Sequence, residues 1–113
     1  MWTRIGAVLG ALAVALGAFG AHALEGRVDE HLRAVWDTGA RYHLVHAVAL
    51  IALGSQRTPP PATGWLWVAG IGLFSGSLYL MTLTGVRLLG AITPLGGVCF
   101  IAGWLWLAWK ARP

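Results

Sequence analysis

Three of the four histidines sit in or beside long apolar runs. His43 and His46 are three apart, which puts them on one helical face, and His22 closes the preceding apolar run at a comparable depth. Two or three imidazoles placed there could hold haem, copper or zinc, or pass a proton. Ionisable side chains inside a membrane are costly without a partner, which makes them candidates for function. A structural reading competes: neutral imidazoles bonded to Ser75, Ser77, Tyr79 or Thr93 would fasten helices together. No carboxylate lies at that depth to orient a metal-bound imidazole. Met81 could serve as a soft ligand but fits packing equally well, and His31 falls in a polar segment where water reaches it.

Enzyme chemistry finds less support. Ser75 and Ser77 have His46 as a conceivable base, yet no Asp is placed to orient it. The chain has no phosphate-binding loop, dinucleotide fingerprint or HExxH sequence. A small proton-coupled exporter would need an acidic residue within a helix, and only Asp37 could be drawn in.

The elements that must position these residues are apolar. Of 113 residues, 58% are hydrophobic and 11% charged, which excludes a disordered chain and argues against a small soluble domain. The lone cysteine, Cys99, excludes an internal disulfide and any multi-cysteine metal site. Basic residues are scattered rather than clustered, so nucleic acid is not an expected partner.

Residues 5–24 form the first run, just long enough at 1.5 Å per residue to cross a hydrocarbon core about 30 Å thick. Arg4, this run and Ala21-His22-Ala23 also fit a secretory signal, but the length favours a retained helix. Residues 25–41 hold all four acidic residues. Val28, Leu32, Val35, Gly39, Tyr42, His46 and Ala49 recur there and beyond at helical steps. The pairs Asp29/Arg33, Arg33/Asp37 and Asp37/Arg41 are spaced to bridge along one face. The second span is expected over 35–54, with a bend at Thr38-Gly39 and a charged, partly interfacial extension before it. Three prolines, 59–61, break the helix. Spans at 64–84 and 88–109 follow as a tight hairpin, with Thr93-Pro94 expected to kink or break the last one.

The fold class is therefore all-α: an integral membrane four-helix bundle forming one domain over 1–113. Four crossings put both termini on one side. Trp2, Trp65, Trp67, Trp104, Trp106 and Trp109 then fall toward that side as an interfacial belt, with only Trp36 opposite. Arg4, Arg57, Lys110 and Arg112 on the terminal side face Arg27, Arg33, Arg87 and Arg41 on the other. The positive-inside count leans to cytoplasmic termini and leaves room for dual insertion. Gly6, Gly10, Gly17 and Ala21, then Gly72 and Gly76, then Gly96, Gly97 and Gly103 offer small-residue faces for close packing, within the chain or in a homo-oligomer. The polar residues His22, Asp37, Arg41, Tyr42, His43, Tyr79, Thr82, Thr84, Arg87 and Thr93 share the non-terminal half, so a site is expected to open there.

GAFGAHAL (17–24), WDTGARYHLVHAVAL (36–50), FSGSLYLMTLTG (74–85), LGAITPLGG (89–97) and the following Gly103-Trp104 resemble the family known as domain of unknown function 423. Its members are small multi-spanning bacterial inner-membrane proteins, and eukaryotic transmembrane protein 256 is similar to them. The resemblance covers nearly the whole chain in order. It implies an integral membrane protein of unestablished biochemical role. The positions carried over are Gly17, Gly20, His22, Trp36, Thr38, Tyr42, His46, Ser75, Gly76, Ser77, Tyr79, Thr93, Pro94, Gly96 and Gly97. His43 stands where the family often has Gln, which leaves His22 with His46 as the metal or haem pair to examine.

The expected function is a non-enzymatic protein of the bacterial inner membrane. It would bind a lipid or membrane-protein partner through the polar half, at Tyr42, Ser75, Ser77, Tyr79 and Thr93, and require no cofactor. A metal, haem or proton-relay site at His22 and His46 is the alternative, and a small exporter the third reading.

Overall fold

A computed structural model describes residues 1–111 of the chain; Arg112, counted above on the terminal side, lies outside them. Among the described residues there are four helices and no strand. The first runs Trp2–His22. A turn through Gly26, whose φ is +75°, leads to the second, Glu30–Gly54. Asp29 caps that helix: its Oδ1 accepts the Leu32 N–H at 2.8 Å, satisfying one of the orphan donors of the first turn. This role takes Asp29 out of the expected ion-pair ladder. Arg33 instead lies 3.9 Å from Glu30 and donates to the Ala21 carbonyl, and only Asp37–Arg41 forms as the spacing predicts, at 2.9 Å.

The second helix continues through Thr38-Gly39 without a break, correcting the expected bend. The Thr38 hydroxyl donates back to the Ala34 carbonyl, inside the helix's own bonding pattern. Its buried stripe is Trp36, Gly39, Ala40, His43, His46, Ala47, Leu50 and Leu53. Tyr42, on the face the hydrophobic pattern favoured, is 45% exposed. In lipid an apolar side chain gains nothing by facing inward, so close fit and hydrogen bonding select the inner face.

The third helix starts at Pro61, three residues before the expected span, with proline in its first turn where no N–H is needed. It runs Pro61–Gly70, loosens to a π-helical turn at Ile71–Ser75, and resumes at Gly76–Thr84. Gly85, in the left-handed region at φ +73°, ends it and donates to the Met81 carbonyl. A 3-10 turn, Arg87–Ala91, precedes the fourth helix, Thr93–Lys110. Pro94 therefore stands in the first turn of a helix and neither kinks nor interrupts one, a correction to the expected interior break. Proline costs nothing there, because the first-turn N–H groups have no helical partner.

The Trp2–His22, Pro61–Thr84 and Arg87–Lys110 segments are each long and apolar enough to cross a membrane. The second helix does not qualify by composition, since its first half carries Glu30, Arg33, Asp37 and Arg41. It lies antiparallel along the whole first helix, with Gly54 against Thr3, Gly6 against Ala47 and Ile51, and Gly20 against Trp36. The second helix also packs on the third, and the third on the fourth, whereas the second and fourth meet through side chains. The apolar core, Trp2, Leu50, Leu53, Trp67, Ile71 and Phe100, lies toward the terminal end. Many large apolar side chains face outward, among them Val8, Leu12, Val48, Leu80, Val98 and Leu105, as a lipid-facing surface requires.

Candidate functional site

Most interior polar side chains among the described residues join two helices; the buried Trp67 indole N–H is an exception, with no hydrogen-bond partner. Between the first and second, the Trp36 indole N–H donates to the Leu16 carbonyl at 2.7 Å. Between the second and third, Ser75 Oγ donates to the Gly39 carbonyl at 2.7 Å and Thr82 Oγ1 to the Leu32 carbonyl at 3.1 Å. His43 Nδ1 lies 2.9 Å from the Tyr79 hydroxyl, while its buried Nε2 makes no hydrogen bond. Between the third and fourth, Ser77 Oγ donates to the Phe74 carbonyl and receives the Thr93 hydroxyl proton across 2.6 Å. Thr63 Oγ1 donates to the Gly103 carbonyl at 3.3 Å.

His46 joins the second helix to the fourth. Its Nδ1 is 2.8 Å from the Tyr42 carbonyl and its Nε2 3.0 Å from the Trp104 indole nitrogen. A carbonyl can only accept and an indole N–H can only donate, so these partners select one neutral tautomer, with the proton on Nδ1. The lone pair on Nε2 is taken by Trp104. The imidazole also stacks on Phe100, centroids 3.7 Å apart and planes within 11°. A metal would have to displace the Trp104 bond to reach this residue.

His22 and His46 are not brought together. Gly10 of the first helix faces Ala47, beside His46, and His22 lies twelve residues further along, about 18 Å at the helical rise. His22 is exposed at the helix end, as His31 is on the second helix. No group of three or more His, Cys, Asp or Glu suited to a metal occurs among the described residues. Proximity in sequence pattern had to stand in for distance here, and antiparallel packing separated the two residues.

Of the residues expected to form a site, Ser75 lies in the π-helical turn, Tyr42 packs on Phe74 of that turn, Ser77 bonds Thr93, and Tyr79 bonds His43. The turn rests on Gly96, where a Cβ would come within 2.7 Å of Phe74 Cα, so glycine allows the two backbones to meet. An added residue per turn also shifts the helix phase, and Ser75, Ser77 and Tyr79 end up facing different neighbours. Tyr42 differs from the rest: its ring packs on Phe74 at 4.8 Å and its hydroxyl has no hydrogen bond among the described residues. It opens outward on a seam between the second and fourth helices, beside Phe100 and the 43%-exposed Trp104.

Trp104 and Phe100 are the participants the sequence did not single out. Trp104 was expected in an interfacial belt, yet its indole reaches inward. Of that belt, Trp2 and Trp67 are buried, while Trp65, Trp104, Trp106 and Trp109 keep exposed surface; Trp36, expected on the opposite side, is buried as well. Nothing in the spacing of Trp104 and His46, 58 positions apart, signals their bond.

Among known proteins, the family described as Protein of unknown function (DUF423) matches residues 16–97. The chain is 49% identical over 111 residues to the UPF0382 membrane protein YwdK of Bacillus subtilis strain 168, covering 89% of this chain and 87% of that one. A UPF0382 membrane protein of Staphylococcus aureus strain bovine RF122 / ET3-1 is 46% identical over 107 residues, covering 91% and 88%. No solved structure matches. The family match spans most of the chain and includes the π-helical turn, and the relatives align over nearly their full length, so the chain belongs to the DUF423 family of membrane proteins.

Proposed function

We propose that this is a non-enzymatic protein that crosses the bacterial cytoplasmic membrane four times and binds a membrane lipid along the seam between its second and fourth helices. The observation that carries the reading is the fate of the interior polar groups. Ser75, Ser77, Thr93, Thr82, His43 and His46 are bonded between helices, and the one side-chain nitrogen or oxygen of that set without a partner among the described residues, His43 Nε2, is buried. Among the polar-half residues Tyr42 offers an unused hydroxyl, on an aromatic seam where backbones stay apart. An acyl chain could lie along such a seam, and a headgroup or ester oxygen can accept from the hydroxyl. Four crossings are supported by the second helix following the first from Thr3 to Trp36, so that it shares the first helix's path. Both termini then lie on one side, the cytoplasmic one by the positive-inside count.

The test is extraction into native nanodiscs followed by mass spectrometry of co-purifying lipids, wild type beside Tyr42→Phe and Tyr42→Ala. A bound lipid species retained by the wild type, weakened in Tyr42→Phe and lost in Tyr42→Ala is expected. Identical lipid profiles for all three would remove the seam as a binding site.

A further inference from the structure

One opening lies at the end opposite the polar half. A cleft of ≈ 820 Å³ lies between the proline-rich connection and the last turns of the fourth helix, lined by Gln56, Arg57, Thr58, Pro61, Trp106 and Lys110, among others. That volume is in the range of small-molecule sites, whereas the cleft on the polar side is ≈ 250 Å³.

We propose that this cleft binds the phosphate of an anionic phospholipid headgroup, with Arg57 and Lys110 as its counter-charges.

Charge distribution is the first argument. All four acidic residues fall within 25–37, at the far end, where they offset Arg27, Arg33, Arg41 and Arg87. The formal charge of +4 is therefore not located there. The ion pairs among the described residues, Arg33–Glu30 and Arg41–Asp37, involve neither cation of the cleft. Among the described residues the lining of the cleft holds two cations and no acid, an arrangement that concentrates positive potential and attracts an anion.

Local backbone adds to it. The third helix opens on the cleft at Pro61, and its N-cap Pro60 supplies no side-chain acceptor. The N–H groups of Ala62 and Thr63 in that first turn point out of the helix with the positive end of its dipole behind them. Three consecutive prolines hold this wall in shape before any ligand arrives.

Depth identifies the anion's source. Lys110 Nζ lies 5.1 Å from the centroid of Trp106, which meets Trp109 edge to face, and Trp109 and Trp65 are more than half exposed. Outward-facing tryptophans at the ends of apolar helices mark the headgroup level of a bilayer. A phosphate at that depth belongs first to a lipid, and basic pockets between membrane helices hold anionic headgroups by this chemistry.

The experiment uses the full chain in nanodiscs of phosphatidylcholine doped with phosphatidylglycerol, with lipids released by collision and counted by native mass spectrometry. The wild type is expected to retain phosphatidylglycerol preferentially. At about fivefold per basic residue near the surface, Arg57→Gln/Lys110→Gln should lower that preference by roughly 25-fold, and Arg57→Glu/Lys110→Glu should abolish it. Arg27→Gln/Arg87→Gln at the other end should leave it unchanged. Thermal unfolding of each variant in detergent checks folding, and both cleft positions are exposed and outside the ion pairs among the described residues. Equal retention of the two lipids by the wild type, or a preference that survives the cleft variants, overturns the proposal. Inorganic phosphate is added in a second arm: displacement of the lipid at millimolar phosphate would assign the cleft to a soluble anion, against the proposal.

Discussion

Gly6 and Gly10 lie one turn apart on the first helix and face the same partner, yet the structure gives alanine opposite consequences at the two positions. A Cβ at Gly6 would stand 2.7 Å from the Ala47 carbonyl oxygen and 2.9 Å from the Ile51 nitrogen, both backbone atoms that no rotamer change can move. A Cβ at Gly10 would meet only the Ala47 Cβ, at 3.8 Å, an ordinary contact. Relieving the first clash requires the helices to part by about 0.5–1 Å, which forfeits a quarter to a half of each dispersion contact along the interface. Overpacking of this kind costs typically about 1–3 kcal/mol. Alanine's helix propensity would offset up to ~1 kcal/mol in water. In a bilayer the separated helix stays helical, so most of that offset cancels. Gly6→Ala should therefore destabilise by about 1–3 kcal/mol, and Gly10→Ala should fall within roughly half a kcal/mol of wild type. Unfolding in mixed dodecylmaltoside–dodecylsulfate micelles, followed by tryptophan fluorescence, reads both; Trp36 and Trp2, buried between helices, should report separation. Equal effects at the two positions, or a stabilised Gly6→Ala, would refute the packing of the first helix on the second.

Trp104→Phe keeps an aromatic ring but removes the donor to His46 Nε2 and part of the ring volume packed on Trp67; a loss of at least about 0.6–1.7 kcal/mol is expected in the same titration, the range for interhelical hydrogen bonds in membranes. Ser75→Ala should cost a similar ~0.6–1.7 kcal/mol, because the Gly39 carbonyl loses its extra donor in a fully buried site. Asp29→Ala removes the cap of the second helix and should cost about 1 kcal/mol, measurable as faster amide exchange at Leu32 and Arg33. His22→Gln should leave stability unchanged while His46→Gln lowers it. Metal analysis of the two purified variants beside wild type tests the paired-histidine reading, which needs stoichiometric metal lost in both.

Much of the fold could be read along the chain. Apolar runs separated by Asp29 and its turn, by Pro59-Pro60-Pro61, and by Gly85 mark four helices, because capping, proline and left-handed glycine are local effects. The polar half was legible as a location. Its use was not: Ser77–Thr93, Ser75–Gly39 and Tyr79–His43 pairings depend on helix phase, and the π-helical turn at Ile71–Ser75 shifts that phase in mid-span. No residue in IGLFS announces such a turn. Its visible support lies on the fourth helix, at Gly96.

Composition and local chain stereochemistry determined that this protein is helical, that its apolar segments suit a bilayer, and which breakers separate its helices. Those properties follow from each segment's own length, polarity and backbone preferences. Tertiary packing alone decided which face of the second helix is buried, that the Trp104 indole N–H bonds His46, that His22 and His46 stand far apart, and that Arg57 and Lys110 line one cleft. Contacts between residues tens of positions apart depend on helix direction, rotation and approach distance, and in lipid these are selected by backbone fit and hydrogen-bond partners rather than by hydrophobicity.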